Sequence, residues 1–438
     1  MKEQSKIPST KVQRAARFVR TGAKVGGNYV KHYTKKVFNP EIGTEELHED
    51  NARDIYESLS ELKGSALKVA QMMSMDKNVL PTAYQEKFAM AQYSAPPLSY
   101  PLVVKTFRKY FGKAPEQIYE SFTKSAVNAA SIGQVHKATL EGKELAIKIQ
   151  YPGVASSVKS DLKLVKPFAM RLVNLNETEL DHYMEEVEMK LLEETDYELE
   201  VRRSIEISEA CADIPNLRFP KYYPELSSER VITMDWLEGK PLREFLKKEH
   251  SQEIRDQIGQ ALWDFYDFQI HQLMQVHADP HPGNFMLKED GTLGVIDFGC
   301  VKVIPQDFYD AYFGLLKKEV YTDDDHLMEK FKTLQFIYDD DTEEDKLYFS
   351  KTIRDLIFLL GRPFHHKEFD FADESYFKEI FEMGEMLSEA KKFRTSKKAR
   401  GARDGLYINR TYFGLYNLLH DLGAKVKTES YDSSSVNK

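Results

Sequence analysis

The stretch His277-Ala278-Asp279-Pro280-His281-Pro282-Gly283-Asn284-Phe285 decides how this chain is read. It is followed, after the polar turn Glu289-Asp290-Gly291-Thr292, by Val295-Ile296-Asp297-Phe298-Gly299. An Asp, an Asn five positions on and a second Asp beyond a hairpin form a recurring phosphoryl-transfer constellation. Asp279 is placed to accept a proton from an attacking hydroxyl. Asn284 and Asp297 offer hard oxygen ligands suited to Mg²⁺, which neutralises a triphosphate. One loop presents both the base and a ligand, and the strand and turn carrying Asp297 bring the last carboxylate opposite. A lone Asp-Phe-Gly could end any strand, whereas the two motifs in this order and at this separation are specific.

Upstream parts occur in matching order. Leu145-Ala146-Ile147-Lys148-Ile149 reads as a strand whose lysine holds the α- and β-phosphates, with a tight hairpin turn at Glu141-Gly142-Lys143. Val135 to Leu140 is the strand before that turn. Asn128-Ala129-Ala130-Ser131-Ile132-Gly133-Gln134 stands where a protein kinase carries its glycine-rich phosphate loop, but with a single glycine. Met184 to Glu200 reads as a helix offering the carboxylates Glu193, Glu194 and Asp196. Val231-Ile232-Thr233-Met234-Asp235-Trp236-Leu237-Glu238-Gly239 reads as an apolar strand running into a turn, with backbone groups near Met234 placed to pair with adenine. The expected architecture is α+β: a two-lobed protein-kinase-like fold with extra helices in the C-lobe.

These segments together resemble the UbiB/AarF family of atypical kinase-like proteins, from about Leu62 to the C-terminal region. Lys63-Gly64-Ser65-Ala66-Leu67-Lys68-Val69-Ala70-Gln71 looks like that family's Lys-x-Gly-Gln motif in a family-specific N-terminal helical extension. Asn128 to His136 looks like its alanine-rich loop, Glu194-Thr195-Asp196 like its Glu-x-Asp motif, and His277 to Phe285 like its catalytic loop. The chain departs from the family at Ala70, usually Gly, and at Asn128, usually Ala or Ser. The resemblance implies that Lys148 pairs with nucleotide phosphates and with Glu194, and that Asp279 is the catalytic carboxylate. It implies that Asn284 and Asp297 hold Mg²⁺, that Ala129, Ala130, Ser131 and Gly133 approach ATP, and that Lys68 and Gln71 reach toward Glu194 and Asp196. It further implies ATP hydrolysis or phosphorylation of a small-molecule or lipid-like acceptor, in support of isoprenoid quinone synthesis or related lipid metabolism, alongside quinone-biosynthesis proteins.

Composition bounds the rest. A chain of 438 residues can bury a sizeable core, and the net charge of −9 argues against nucleic acid as a partner. The two cysteines, Cys211 and Cys300, suit a reducing compartment rather than a disulfide framework. No apolar run is long enough to predict a transmembrane helix, and no secretory signal is evident. The expected organisation is a basic segment at 1–45, a helical extension at 46–115, an N-lobe at 116–236 and a helical C-lobe at 237–438. From Lys2 to Lys36 there are ten Lys or Arg and one acidic residue, Glu3. Three readings of this segment stand side by side: a partly disordered basic tail, an amphipathic segment touching an anionic membrane surface, and a mitochondrial transit peptide. Gly26-Gly27 is expected to interrupt any long helix there. Placement is accordingly cytoplasmic, peripheral on the inner face of a membrane, or in the mitochondrial matrix.

Two other functions fit part of the motif set. A choline- or aminoglycoside-kinase-like phosphotransferase would share the loop Asp279-x-His281-x-x-Asn284 but lack the extension motif. A nucleotide-binding scaffold of a membrane biosynthetic complex would keep the binding residues without turnover. A true protein kinase fits less well, since nothing after Gly299 resembles an activation segment ending in Ala-Pro-Glu.

Overall fold

A computed structural model of the chain describes residues 11–38, 45–62, 84, 98–130, 132–172, 177–317, 320, 323–390, 392–393, 396, 398 and 400–428. It forms two compact units. The first holds the residues up to Val201 together with Lys221–Trp236, and the second holds Arg202–Pro220 together with Leu237 onward. The stretch Arg202–Pro220, expected in the N-lobe, therefore belongs to the second unit.

The first unit opens with helices α1 (Lys11–Phe38) and α2 (Glu45–Leu62). Polar contacts join them. Asn28 Nδ2 donates to Asn51 Oδ1 at 3.1 Å and to Asp54 Oδ2 at 2.9 Å, and Lys35 meets Glu46 at 2.7 Å. α1 runs through Gly26-Gly27 without a break, which corrects the expected interruption. Two glycines cost the helix roughly 1 kcal/mol each relative to alanine. The contacts with α2 offset that cost. The helical extension expected at 46–115 is described as α2 as far as Leu62, and residues 63–83 lie outside the described residues.

Helix α3 (Tyr100–Phe111) follows, with Pro101 in its first turn. It stops at Gly112, whose φ of 70° gives a left-handed cap. A five-stranded antiparallel sheet comes next: β1 (Ser121–Phe122), β2 (Asn128–Ala130), β3 (Gly133–Leu140) and β4 (Lys143–Gln150), joined later by β6 (Val231–Asp235). Glu141 and Gly142 both have positive φ (52° and 74°), the signature of a two-residue hairpin turn, so β3 and β4 pair in continuous register from Leu140↔Lys143 to Gly133↔Gln150. Phe107 and Val103 of α3 pack with Ile147, Ile149 and Val231 of the sheet into this unit's core. Helices α4 (Val154–Leu172), α5 (Glu177–Glu194) and the start of α6 (Tyr197–Ala210) complete it.

The second unit holds the rest of α6, β5 (Leu217–Arg218), α7 (Gln252–His271), β7 (Gln275–His277), β8 (Phe285–Leu287), β9 (Leu293–Val295) and β10 (Val301–Val303). Helices α8 (Gln306–Gly314), α9 (Asp324–Thr333) and α10 (Glu343–Leu360) follow. Then come β11 (Glu368–Asp370), α11 (Glu374–Glu389), α12 (Arg403–Leu422) and β12 (Lys425–Lys427). Buried Trp263, Phe265, Tyr266 and Ile270 on α7 lie at the centre of one core that extends from Ile207 to Val426. A Cβ on Gly259 would fall 2.5 Å from Ala424 Cβ, so α7 packs directly on the C-terminal segment.

The acidic triplets Asp323-Asp324-Asp325 and Asp339-Asp340-Asp341 sit near helix starts, in different ways. Asp323 caps α9, accepting from His326 N–H at 3.1 Å. Asp341 is instead buried, with 4% of its side chain exposed. It accepts from Arg400 Nη2 at 3.0 Å, and its backbone partner is Tyr338 N–H at 2.8 Å. Burial works against the charged carboxyl, but the hydrogen bonds from Arg400, Tyr338 and Lys398 outweigh it and lower the pKa from 3.8 to about 2. A depressed acid stabilises the fold above its unfolded value and loses that contribution as pH falls through its folded value. The pair should therefore contribute roughly 2 kcal/mol that disappears between about pH 4 and pH 2. Urea melts of Asp341→Asn should show lower stability at neutral pH and a smaller loss over that acid range than the parent.

Candidate functional site

In the first unit, Lys148 lies mid-strand in β4, paired across to Val135 of β3 and Ile232 of β6. Strands on both sides make β4 central, so Leu145 to Gln150 are all buried and the side-chain alternation is masked. Lys148 Nζ donates to Glu200 Oε1 at 2.7 Å, with 6% and 4% of the two side chains exposed. The ammonium also lies 5.3 Å from the centre of the Tyr197 ring. Glu200 was not singled out in the sequence, where Glu194 was expected in this role. Glu194 is buried too, at the end of α5.

The chain break between α5 and α6 sets this geometry. The Thr195 carbonyl accepts from Gln150 Nε2 at 3.1 Å and from Arg230 Nη1 at 3.0 Å, which ties the break to β4 and to the residue before β6. Asp196 is exposed and accepts from Leu199 N–H at 2.9 Å, capping α6. α6 then carries Glu200 one turn on, against Lys148. Gly133 has a steric reason to be glycine: a Cβ there would lie 2.4 Å from Ile149 O and 2.9 Å from the Tyr197 hydroxyl. Ala129 and Ala130 form strand β2, paired with Gln134 and Gly133, rather than an open loop. Met234 is buried on β6 and pairs with Ala146. Lys68, Gln71 and Ser131 lie outside the described residues.

In the second unit the three expected acidic and amide groups converge on one loop system. β7 pairs with β10, and β8 with β9, so the segment 278–284 and the segment 296–300 leave neighbouring strands. Ala278 N–H donates to Cys300 O at 2.8 Å and Ile296 N–H to Asn284 O at 3.1 Å, which brings Asn284 beside Asp297. Asn284 Nδ2 donates to the Asp279 carbonyl at 2.9 Å, and His281 Nδ1 accepts from Gly283 N–H at 3.0 Å. Asp297 Oδ1 accepts from Gly299 N–H at 2.8 Å. Below the loop, Tyr266 Oη lies 3.0 Å from His277 Nδ1; burial, with the charge of Asp279 added, holds the Tyr266 phenol well above its ordinary pKa.

The Asp279 carboxylate has a partner that the sequence did not suggest. Arg410 Nη2, on α12, donates to Asp279 Oδ1 at 3.0 Å across 131 residues of chain, with 19% and 15% of the side chains exposed. No local motif marks Arg410.

Asn284 and Asp297 are the residues that could hold a divalent ion. Among the described residues no group of three or more His, Cys, Asp or Glu is placed to hold a metal. Asn284 spends its amide N–H on the Asp279 carbonyl, leaving Oδ1 as an acceptor, and Asp297 adds a carboxylate. Such a sparse oxygen set matches Mg²⁺, which relies on substrate phosphates and water for its remaining ligands.

A lysine ion-paired on a central strand, with an Asp, an Asn and an Asp on two adjoining loops, defines a kinase-like protein. The family profile described as "ABC1 atypical kinase-like domain" matches residues 90–331, and the chain belongs to that family. Similar proteins include "Atypical kinase coq-8, mitochondrial" of Caenorhabditis elegans, 29% identical over 360 residues that cover 78% of this chain and 47% of the relative. They also include "Atypical kinase COQ8B, mitochondrial" of Danio rerio, 29% identical over 385 residues covering 85% and 61%. The chain thus spans about half to three fifths of these relatives' lengths. Among solved structures, "The complex structure of Rv3197-erythromycin from Mycobacterium tuberculosis" is similar at a TM-score of 0.59 and 27% identity, covering 88% of this chain and 95% of that one. The α+β kinase-like fold is therefore established.

Removing one member of a buried ion pair takes away a compensating charge from the other. Glu200→Gln should lower stability by roughly 3 kcal/mol, and Lys148→Met combined with Glu200→Leu should recover most of that loss. Denaturant melts of the two variants against the parent measure both.

Proposed function

We propose that the chain is an atypical kinase that uses Mg²⁺-ATP, as an ATPase or as a phosphotransferase to a small or lipid-like acceptor, in support of isoprenoid quinone synthesis. The observation that carries this reading is the pair of backbone hydrogen bonds, Ala278 to Cys300 and Ile296 to Asn284, that gathers Asp279, Asn284 and Asp297. When bound, Mg²⁺ would screen the negative charge of the phosphates. Asn284 and Asp297 would be its protein ligands. Lys148, held as an ammonium by Glu200, would supply positive charge to the phosphates. Asp279 would orient a water or an acceptor hydroxyl and take its proton. The quinone connection rests on the names of the relatives, which also favour a mitochondrial over a cytoplasmic placement.

Asp297→Asn should abolish Mg²⁺-dependent nucleotide binding with an unchanged melting temperature. Asp279→Asn should keep nucleotide binding and lose turnover by about a hundredfold or more. Isothermal titration and phosphate release, with and without anionic vesicles and a phenolic quinone precursor analogue, read both. Unchanged binding in the first variant would remove Asp297 from the site, and unchanged turnover in the second would refute the phosphoryl-transfer reading.

An anionic membrane surface is the partner we infer for α1. No helix among the described residues is long and apolar enough to cross a membrane. α1 turns Thr21, Asn28 and Lys35 toward α2, while Ala16, Val19, Ala23, Val30 and Tyr33 form an exposed stripe at steps of three, four and seven residues. Val19, Val30 and Tyr33 are 73%, 68% and 61% exposed, with Arg20, Lys31 and Lys36 exposed on the same helix. Apolar area in the headgroup region together with flanking cations is the pattern of a surface-bound helix. Val30→Glu with Tyr33→Glu should weaken binding to anionic vesicles by about tenfold or more. Vesicle co-sedimentation tests this, and equal binding by parent and variant would remove α1 from the interaction.

A further inference from the structure

Helix α12 lies beyond residue 331, where the family profile ends, yet one of its faces runs along the catalytic loop. Asp404 pairs with Lys302 of β10 at 2.5 Å, and the Lys302 ammonium sits 5.2 Å from the centre of the Tyr407 ring. Tyr407 packs against Ala278 and Cys300, the residues that join the catalytic loop to the Asp297 segment. One turn on, Arg410 bonds Asp279. Another turn on, Gly414 touches the next loop residue: a Cβ there would lie 2.1 Å from Pro280 Cγ and 2.8 Å from Pro280 Cβ. Positions 404, 407, 410 and 414 follow the helical repeat, so a single straight face meets β10, Ala278, Asp279 and Pro280 in sequence.

We propose that Arg410 is a positioning residue for Asp279 and that α12 is the template on which the catalytic loop is set. The inference rests on the phosphoryl-transfer reading of Asp279. A guanidinium fixes the direction of a carboxylate better than a point charge does, because its donors lie in a rigid plane. Both side chains are mostly buried, so the pair is not a solvent-screened surface contact. The glycine at 414 lets the helix backbone come close enough for the arginine to reach. Tyr407 and the Asp404–Lys302 pair hold the same face in register one and two turns earlier. Rotation of the Asp279 side chain away from the attacking oxygen is thereby blocked from outside the matched domain.

The test uses the full chain with Arg410→Met, Arg410→Lys and Asp279→Asn. Mg²⁺-ATP turnover, nucleotide affinity, melting temperature and amide exchange of the segment 278–284 are read for each. Arg410→Met is expected to lose kcat by about tenfold to a hundredfold with KM for ATP nearly unchanged. Exchange at 278–284 should rise whether or not turnover is measurable, and Arg410→Lys should restore part of both. If Asp279→Asn turns over like the parent, the functional reading fails and this inference fails with it. If Asp279→Asn is inactive while Arg410→Met keeps the parent's kcat and exchange, the inference alone is overturned. A fall in melting temperature matching the loss of kcat, with no rescue by lysine, would make Arg410 structural and also overturn it.

Discussion

A charge taken out of water must be met by another charge, and Lys148 with Glu200 obeys that constraint inside the first unit. Neither side chain exceeds 6% exposure, and the ion pair replaces part of the hydration each has lost. The demand propagates. Glu200 reaches the lysine only because the chain breaks between α5 and α6, and the break is fixed because Gln150 and Arg230 both donate to the Thr195 carbonyl. Gln150 stands two residues from Lys148 on the same strand, so the group that holds the break and the group that needs it share one face of β4. Gly133 then has to be glycine to admit the Tyr197 hydroxyl beside that strand. Strand order, helix break and glycine placement are consequences of keeping one ammonium paired.

The second unit meets a different constraint. Its loop strands are three residues long, too short to hold the loop that carries Asp279 by ladder bonds alone. Rigidity comes instead from side chains and from a helix contributed late in the sequence. Asn284 is tied to the Asp279 carbonyl, Asp297 to its own turn, and Asp279 to Arg410. Preorganisation of this kind lets a carboxylate act without first being steered into place, which is where much of an enzyme's rate advantage arises.

Local patterns were readable and long-range pairings were not. The β3–β4 hairpin, the strand carrying Lys148 and the loop from His277 to Asn284 were legible because turn chemistry and residue spacing are encoded within a few positions. Glu200 was missed because a run of carboxylates on adjoining helices does not say which one faces a strand fifty-two residues earlier. Arg410 carried no signal at all, since an arginine on an amphipathic helix looks the same whether it meets solvent or a carboxylate. The behaviour of Gly26-Gly27 was misjudged because intrinsic propensity was weighed without the neighbour that α2 provides. The environment of Asp341 carried no local signal either, since it depends on Arg400, far along the chain.

The core of the second unit has one further consequence. Residues on both sides of position 331 contribute to it, from Ile207 to Val426, and Gly259 at its centre is closed over by Ala424. The segment that the family profile matches and the packed core of the second unit therefore have different limits. A fragment ending where the family match ends would keep Lys148, Asp279, Asn284 and Asp297, yet leave α7 bare along the flank where β12 now lies. The limits of the family match and of the packed core do not coincide in this chain.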